Sequence, residues 1–204
     1  WTYEGFYNPF GPTLLQLKIN EDIRLKLLDS VISCLNDHKP MHFTAGNDRL
    51  NNAVKNSIVD GKIGEVSKEW QEKHPGNIIK NTIQSILDRY GELYYNMPCI
   101  SSIADIWYVM MKAGDFHMLH SHVGSDELSG SIYLEVPDNL SDPQGNICWS
   151  AGGSSGQLYN SSYEYSPEQG DVLLWPAWLM HTVYPFRSKQ ERIMISFNGQ
   201  IVCR

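Results

Sequence analysis

The chain of 204 residues has no run of lysine and arginine: 16 basic residues are scattered among 23 acidic ones, for a formal net charge of −7. A protein that tracks nucleic-acid phosphates needs a basic stripe, so duplex nucleic acid is excluded as the main partner, and the dispersed acidity serves solubility. No apolar run approaches the ~20 residues of a membrane-spanning helix. Nothing at the start reads as a signal peptide; the chain opens on Trp1, which leaves a removed leader open. The 4 cysteines, Cys34, Cys99, Cys148 and Cys203, are far apart and form no Cys-x-x-Cys pair, so reduced thiols and a cytoplasmic location are expected. There is no internal repeat, and residues 150–156 are a short flexible loop instead of a linker.

What is present is a chain of one-domain length with an ordinary apolar content and many aromatics, enough for a packed core. The expected organisation is a single domain over 1–204, in which 1–99 give helical and irregular support and 100–204 form the core that carries the site. Residues 1–18 read as an extended aromatic lead-in, ending in an edge strand from Leu14 to Ile19. A helix follows: Asn20 caps it, Glu21 and Asp22 suit the positive end of its dipole, and Ile23, Leu27, Val31 and Cys34 recur at helical spacing. Residues 44–75 are polar, with weak helical stripes at Leu50-Val54-Ile58 and at Val66-Trp70. A clearer helix has its face on Ile79, Ile83, Ile86, Leu87, Tyr90 and Tyr94. From Ile100 the texture is of short strands: Ile106 to Met111, His120 to His122, Ile132 to Val136, Ile147 to Trp149, Leu158 to Tyr159, Val172 to Trp175, Thr182 to Tyr184 and Ile193 to Val202. Strands at this spacing, with helices ahead of them, predict a mainly β jelly roll (a cupin-like double-stranded β-helix) with the helices packed outside one sheet.

Three of the 7 histidines fall at 117, 120 and 122, and His181 follows much later. In an extended chain residues i and i+2 share a face, so His120 and His122 aim two imidazoles at one point, which is half a metal site. A jelly roll brings distant strands together and can add His181 as the third ligand. Neutral imidazole suits iron, zinc, copper and nickel. By the same parity Arg192, Met194, Ser196 and Asn198 share one face and Ile193, Ile195 and Phe197 the other. Arg192 can thus present a guanidinium, which stays charged and pairs bidentately with carboxylates, to an anion near the metal.

The order His120-Ser-His122, then Leu128-Ser129-Gly130 and a strand bearing Tyr133, then Gly170-Asp-Val-Leu-Leu-Trp175 with Trp178-Leu-Met-His181, then Arg192 and Ser196-Phe-Asn198, resembles the 2-oxoglutarate- and Fe(II)-dependent oxygenases. It is similar to a subgroup found in bacteria and in viruses of cyanobacteria, which would make the cytoplasm that of the host. The resemblance covers residues 105–198. It implies a double-stranded β-helix, Fe(II) bound by His120, His122 and His181, and 2-oxoglutarate held by Arg192, with Tyr133 and Ser196 in reach of it. It implies a dioxygenase that hydroxylates a substrate, small molecule or protein, using O2 and turning 2-oxoglutarate into succinate. Three departures stand out. His122 occupies the position of the commoner carboxylate ligand, so the site carries one negative charge fewer. Asp126 and Glu127 add a residue before Leu-Ser-Gly, and either acid is an alternative ligand to His122. Met194 replaces a usual serine.

The remaining residues have plainer readings. His117, an odd step from both ligands, is expected to face away. Trp149, Trp175 and Trp178 are expected in the core or pocket wall, Asp115, Asp126 and Glu127 in solvent, and Asn198 beside a ligand or in a structural role. Loops 42–75 and 138–165 should wall the pocket, with 44–60 as a lid, and the aromatic N-terminus offers a surface on which a second copy could pair. Two rival functions remain: a cupin-like three-histidine dioxygenase independent of 2-oxoglutarate, and a non-catalytic metal-binding protein.

Overall fold

The computed structural model describes residues 2–7, 11–37, 57–122, 127–152 and 161–203. Among these, the larger sheet is built from β1 (Thr2–Tyr7), β2 (Leu14–Lys18), β3 (Lys62–Glu65), β4 (Cys99–Met111), β6 (Leu128–Glu135), β9 (Asp171–Pro176) and β11 (Arg192–Cys203). Its order is β1-β2-β9-β6-β11-β4-β3. The smaller sheet takes β5 (His117–His120), β7 (Ile147–Ser150), β8 (Ser162–Tyr165) and β10 (Met180–Val183) in the order β5-β10-β7-β8. All pairings are antiparallel. Two such sheets face to face make a double-stranded β-helix, the jelly roll the strand spacing predicted.

Alternation along the central strands sorts side chains into two layers. On β11, Ile193, Ile195 and Phe197 join the cluster beneath the helices, whereas Met194 joins the cluster between the sheets. On β4 the same split separates Ile106, Tyr108 and Met110 from Trp107, Val109 and Met111. The outer layer is covered by α1 (Glu21–Asn36), α2 (Lys68–Lys73) and α3 (Ile79–Tyr95). In α1, Asn20 accepts from the Ile23 amide at 2.9 Å, as a cap should. Buried Arg24 pairs with Glu21 and Glu135 and donates to the Leu134 carbonyl, which fastens α1 to β6. Gly130, inside the Leu-Ser-Gly motif, has a packing reason. A Cβ there would lie 2.5 Å from Cζ of Phe197, so only glycine lets that ring seat across β6.

Several expectations are corrected. The strand at Leu14 is not an edge, because β1 pairs outside it and β9 on its other side. β3 and β8 had no legible signal; each is only 4 residues long. The expected strand at Leu158 to Tyr159, the expected lid over 44–60 apart from its last residues 57–60, and the stripe at Leu50 and Val54 lie outside the described residues. Asp115 is buried, not solvated: its carboxylate accepts from the amides of Val59, Asp60 and Lys112 at 2.8, 3.1 and 2.8 Å, which compensates its burial. Trp178 is 58% exposed instead of lining the core, because it sits in the tight turn between β9 and β10.

The reduced-thiol expectation holds for Cys34 and Cys148, which are free and buried. It fails for Cys99, which is disulfide-bonded; the register of β4 on β11 sets Cys203 opposite it. Separation in sequence hid this, because β4 and β11 meet only through the sheet. Disulfides persist in oxidising compartments, so the thiol argument for the cytoplasm falls. No helix among the described residues is long and apolar enough to cross a membrane.

Candidate active site

The fold brings three histidines to one point between the sheets. His181 on β10 lies directly opposite His120 on β5 in the strand register. Their ring centroids are 4.2 Å apart, and His122 stands 5.3 Å from each. One nitrogen from each ring lies within 4.8 Å of the others, and these three are the group among the described residues that could hold a metal. Strand parity was only half the reason. β5 ends at His120, and His122 is turned inward beyond it, where its amide donates to the Ala177 carbonyl at 2.9 Å.

The tautomers follow from the neighbours. His120 Nδ1 lies 2.6 Å from the Met118 carbonyl and His181 Nδ1 2.9 Å from the Leu179 carbonyl. A carbonyl only accepts, so both Nδ1 atoms carry the hydrogen and both Nε2 lone pairs are free for a cation. His122 Nδ1 lies 3.4 Å from the carboxamide of Asn198, which is held in turn by Ser129 Oγ at 2.6 Å. For His122 to offer Nε2 as the other two do, its Nδ1–H must donate to the amide oxygen. Asn198 then presents oxygen to His122 and its amino group to Ser129, a turned-over amide of the same shape. Asn198 and Ser129 thus orient His122, the role that parity on β11 allowed Asn198.

Burial favours the ligating form. It lowers the basicity of all three rings, His122 to about 3, so the imidazoles are neutral with lone pairs available at neutral pH. Aromatic rings pack round the group: Trp107 is 5.6 Å from His122 and Trp175 is 4.9 Å from His181, with Trp149 behind Trp175 at 5.6 Å. Glu127 does not join the ligand group; its carboxylate accepts from the Ile201 amide at 3.1 Å. Asp126 lies outside the described residues.

A second feature is a set of donors without acceptors. Arg192 is 0% exposed, and only its Nη1 has a hydrogen-bond partner, the Gly145 carbonyl at 2.6 Å. Its Nε and Nη2 have none, and neither has the hydroxyl of fully buried Tyr133. The guanidinium lies over the Tyr133 ring, 4.8 Å from its centroid. Burial pushes the Tyr133 hydroxyl up to about 12 against the pull of Arg192, so it remains a donor at neutral pH. A buried guanidinium with unmet donors is unfavourable unless an anion completes it. Ser196, on the same face of β11, bonds with Ser131 across to β6 at 3.0 Å.

His117 is the correction at this site. Its odd spacing from both ligands predicts that it faces away, but it is buried, its Nε2 has no partner, and its ring lies 5.8 Å from that of His120. The register explains this. His181 pairs with His120 and Val183 with His117, so two steps along β10 match three along β5. The extra residue is a β-bulge, and it moves His117 onto the ligand face. No pattern in the residues announces a bulge in so short a strand.

A three-imidazole group accepts iron among other metals, and the unmet donors of Arg192 and Tyr133 suit a carboxylate. The residues present fit Fe(II) with an oxoacid. Comparison with known proteins agrees. Residues 105–198 match the family described as "Putative 2OG-Fe(II) oxygenase". A prolyl hydroxylase from Trichoplax adhaerens, solved with a hypoxia-inducible-factor peptide, is similar over 91% of this chain and 82% of its own, with a TM-score of 0.62 at 13% identity. A prolyl-4-hydroxylase from Pseudomonas putida aligns over 91% of both chains with a TM-score of 0.55 at 14% identity. The non-heme α-ketoglutarate-dependent epimerase SnoN of nogalamycin biosynthesis aligns over 94% of this chain and 80% of its own, with a TM-score of 0.65 at 8% identity. Comparison with curated proteins gives no match. The matched segment begins on β4 and ends at Asn198, so it contains every side chain of this site, and over that segment the chain is similar to the 2-oxoglutarate/Fe(II)-dependent oxygenases.

Proposed function

We propose that the protein is a dioxygenase that oxidises, by hydroxylation, a substrate still to be identified. In this reading His120, His122 and His181 hold Fe(II), Arg192 and Tyr133 bind the far carboxylate of 2-oxoglutarate, and Ser196 lies in reach of it. The observation that carries the reading is the pairing of three convergent imidazoles with a buried, incompletely bonded Arg192 and Tyr133 in one interior. Bound together, iron and 2-oxoglutarate would supply the oxidising chemistry: 2-oxoglutarate loses CO2 to become succinate, which takes one oxygen atom of O2, and the substrate takes the other. The chain supplies position and environment. The carbonyls of Met118 and Leu179 and the Asn198 amide fix the ring orientations. Tyr133 and Arg192 present donors already in place, so little reorganisation accompanies anion binding. Trp107 and Trp175 exclude water and keep the local dielectric low.

Hydroxylation is the outcome that prolyl hydroxylases among the similar structures support, although the epimerase on the same fold means the architecture does not select it. The test is anaerobic addition of Fe(II) and then 2-oxoglutarate to the metal-free protein. The weak visible charge-transfer band of an iron-chelated oxoacid is expected, absent in His181→Ala. Tight iron binding without the band would favour the three-histidine dioxygenase independent of 2-oxoglutarate. Metal-dependent melting with no oxygen uptake would favour a non-catalytic role.

A further inference from the structure

The β-bulge in β5 has a consequence for the neighbouring site. It brings His117 onto the face of the metal-holding histidines, with its ring 5.8 Å from that of His120. The charged and titratable groups that act on its ring are, in order, His120, Arg192 and His122. His117 is 7% exposed, and its Nε2 has no protein partner. The backbone is tied down around it: the Thr182 hydroxyl donates to the His117 carbonyl at 2.6 Å, where the bulge breaks the ladder. A buried unmet ring nitrogen is a standing cost that a leucine there would not carry. The bulge that creates it is a local departure from regular pairing, of the kind that re-aims a side chain beside a site.

We propose that His117 is a third co-substrate-binding side chain, whose Nε2–H donates to a carboxylate oxygen of bound 2-oxoglutarate. It is not a fourth metal ligand, since its nitrogens fall outside the converging group. The unmet polar atoms of this interior support the assignment. Arg192 Nε and Nη2, and the Tyr133 hydroxyl, are all donors. A histidine among them, with no protein acceptor or donor on Nε2, takes the tautomer the incoming anion selects, and an anion selects N–H. The site carries no carboxylate ligand among the described residues, so an extra neutral donor can help hold a dianion without adding charge.

The inference rests on the co-substrate reading above, and the experiment separates the two. Dissociation constants for 2-oxoglutarate are measured anaerobically on the Fe(II) protein by the charge-transfer band, and those for Fe(II) separately, in wild type, His117→Leu and His117→Gln. Leucine removes the donor and keeps bulk; glutamine restores an N–H near the position of Nε2. The leucine variant is expected to weaken 2-oxoglutarate at least about tenfold, as loss of one hydrogen bond to a charged group would. Iron affinity should stay within about twofold, and glutamine should recover most of the loss. Equal 2-oxoglutarate affinity in the leucine variant overturns the assignment. So does a parallel fall of iron affinity that glutamine does not rescue, which marks a structural part in the metal site. A wild-type protein that takes up iron and shows no band overturns the co-substrate reading itself, and this inference with it.

Discussion

Replacing His181 with alanine is expected to reduce Fe(II) affinity by more than about a hundredfold. Losing an outer partner of a ligand typically costs ~10–100-fold, so losing the ligand must exceed that range. Among the described residues no other histidine, cysteine or carboxylate joins the group, and Glu127 is engaged by the Ile201 amide. His120→Ala should behave alike, since His120 faces His181 across the β5–β10 pair. Competition against a metal-sensitive dye measures the affinity, with far-ultraviolet circular dichroism to show that the fold survives. Retention of near-wild-type affinity in either variant would remove that histidine from the site.

The same burial makes the metal-free protein pH-sensitive. His117 and His122 are held near 3 by burial and by neighbouring positive charge, and His181 well below its usual value. The unfolded chain protonates these rings near 6.5 and the folded chain does not. Below that pH the unfolded state therefore binds more protons, and stability falls as pH drops. One unit below 6.5 the loss is about 1.4 kcal/mol for each such ring, or roughly 4 kcal/mol for the three at pH 5.5. Urea unfolding of the chelator-treated protein at pH 7.5 and 5.5 should show it, and a pH-independent midpoint would contradict the burial of neutral rings. A bound divalent cation should restore part of the loss, because it binds only the neutral ligands of the folded state.

The residues that could be read in advance were those whose role depends on composition and parity. Alternation along β11 put Arg192, Ser196 and Asn198 inward and Phe197 outward without reference to any partner strand, and the helix faces of α1 and α3 were periodic. His120, His122 and His181 were legible as an ordered set. What stayed hidden depends on pairing between distant segments. The bulge that turns His117 inward exists only as a mismatch between β5 and β10. Cys203 pairs with Cys99 in the strand register only because β4 and β11 run antiparallel over their whole lengths. Asp115 is buried because amides from the distant Val59 and Asp60 converge on it. The charge of that aspartate predicted solvent, and three backbone donors overrode it.

Arg192→Met should weaken 2-oxoglutarate by about a hundredfold or more while leaving Fe(II) affinity nearly unchanged, because Arg192 has no part in the metal group. Truncating one partner of a buried, hydrogen-bonded charge pair costs ~2–5 kcal/mol, the range from which that factor comes. Stability should move the other way. In the free protein the guanidinium is fully buried, with one carbonyl bond and the Tyr133 ring as its compensation. A cation over a ring contributes ~0.5–2 kcal/mol, whereas replacing poorly compensated buried charge with packed apolar side chains often stabilises by ~1–4 kcal/mol. The variant should therefore melt at or above wild type when both lack ligand. Saturating 2-oxoglutarate with iron should raise the wild-type melting temperature, by about 2.7 kcal/mol of stability at a hundred times its dissociation constant, and the variant much less. Paired melting curves with and without the oxoacid check this. An Arg192→Met protein that still gains full stabilisation from 2-oxoglutarate would place the anion elsewhere, and one that is destabilised without ligand would mean the guanidinium is already satisfied.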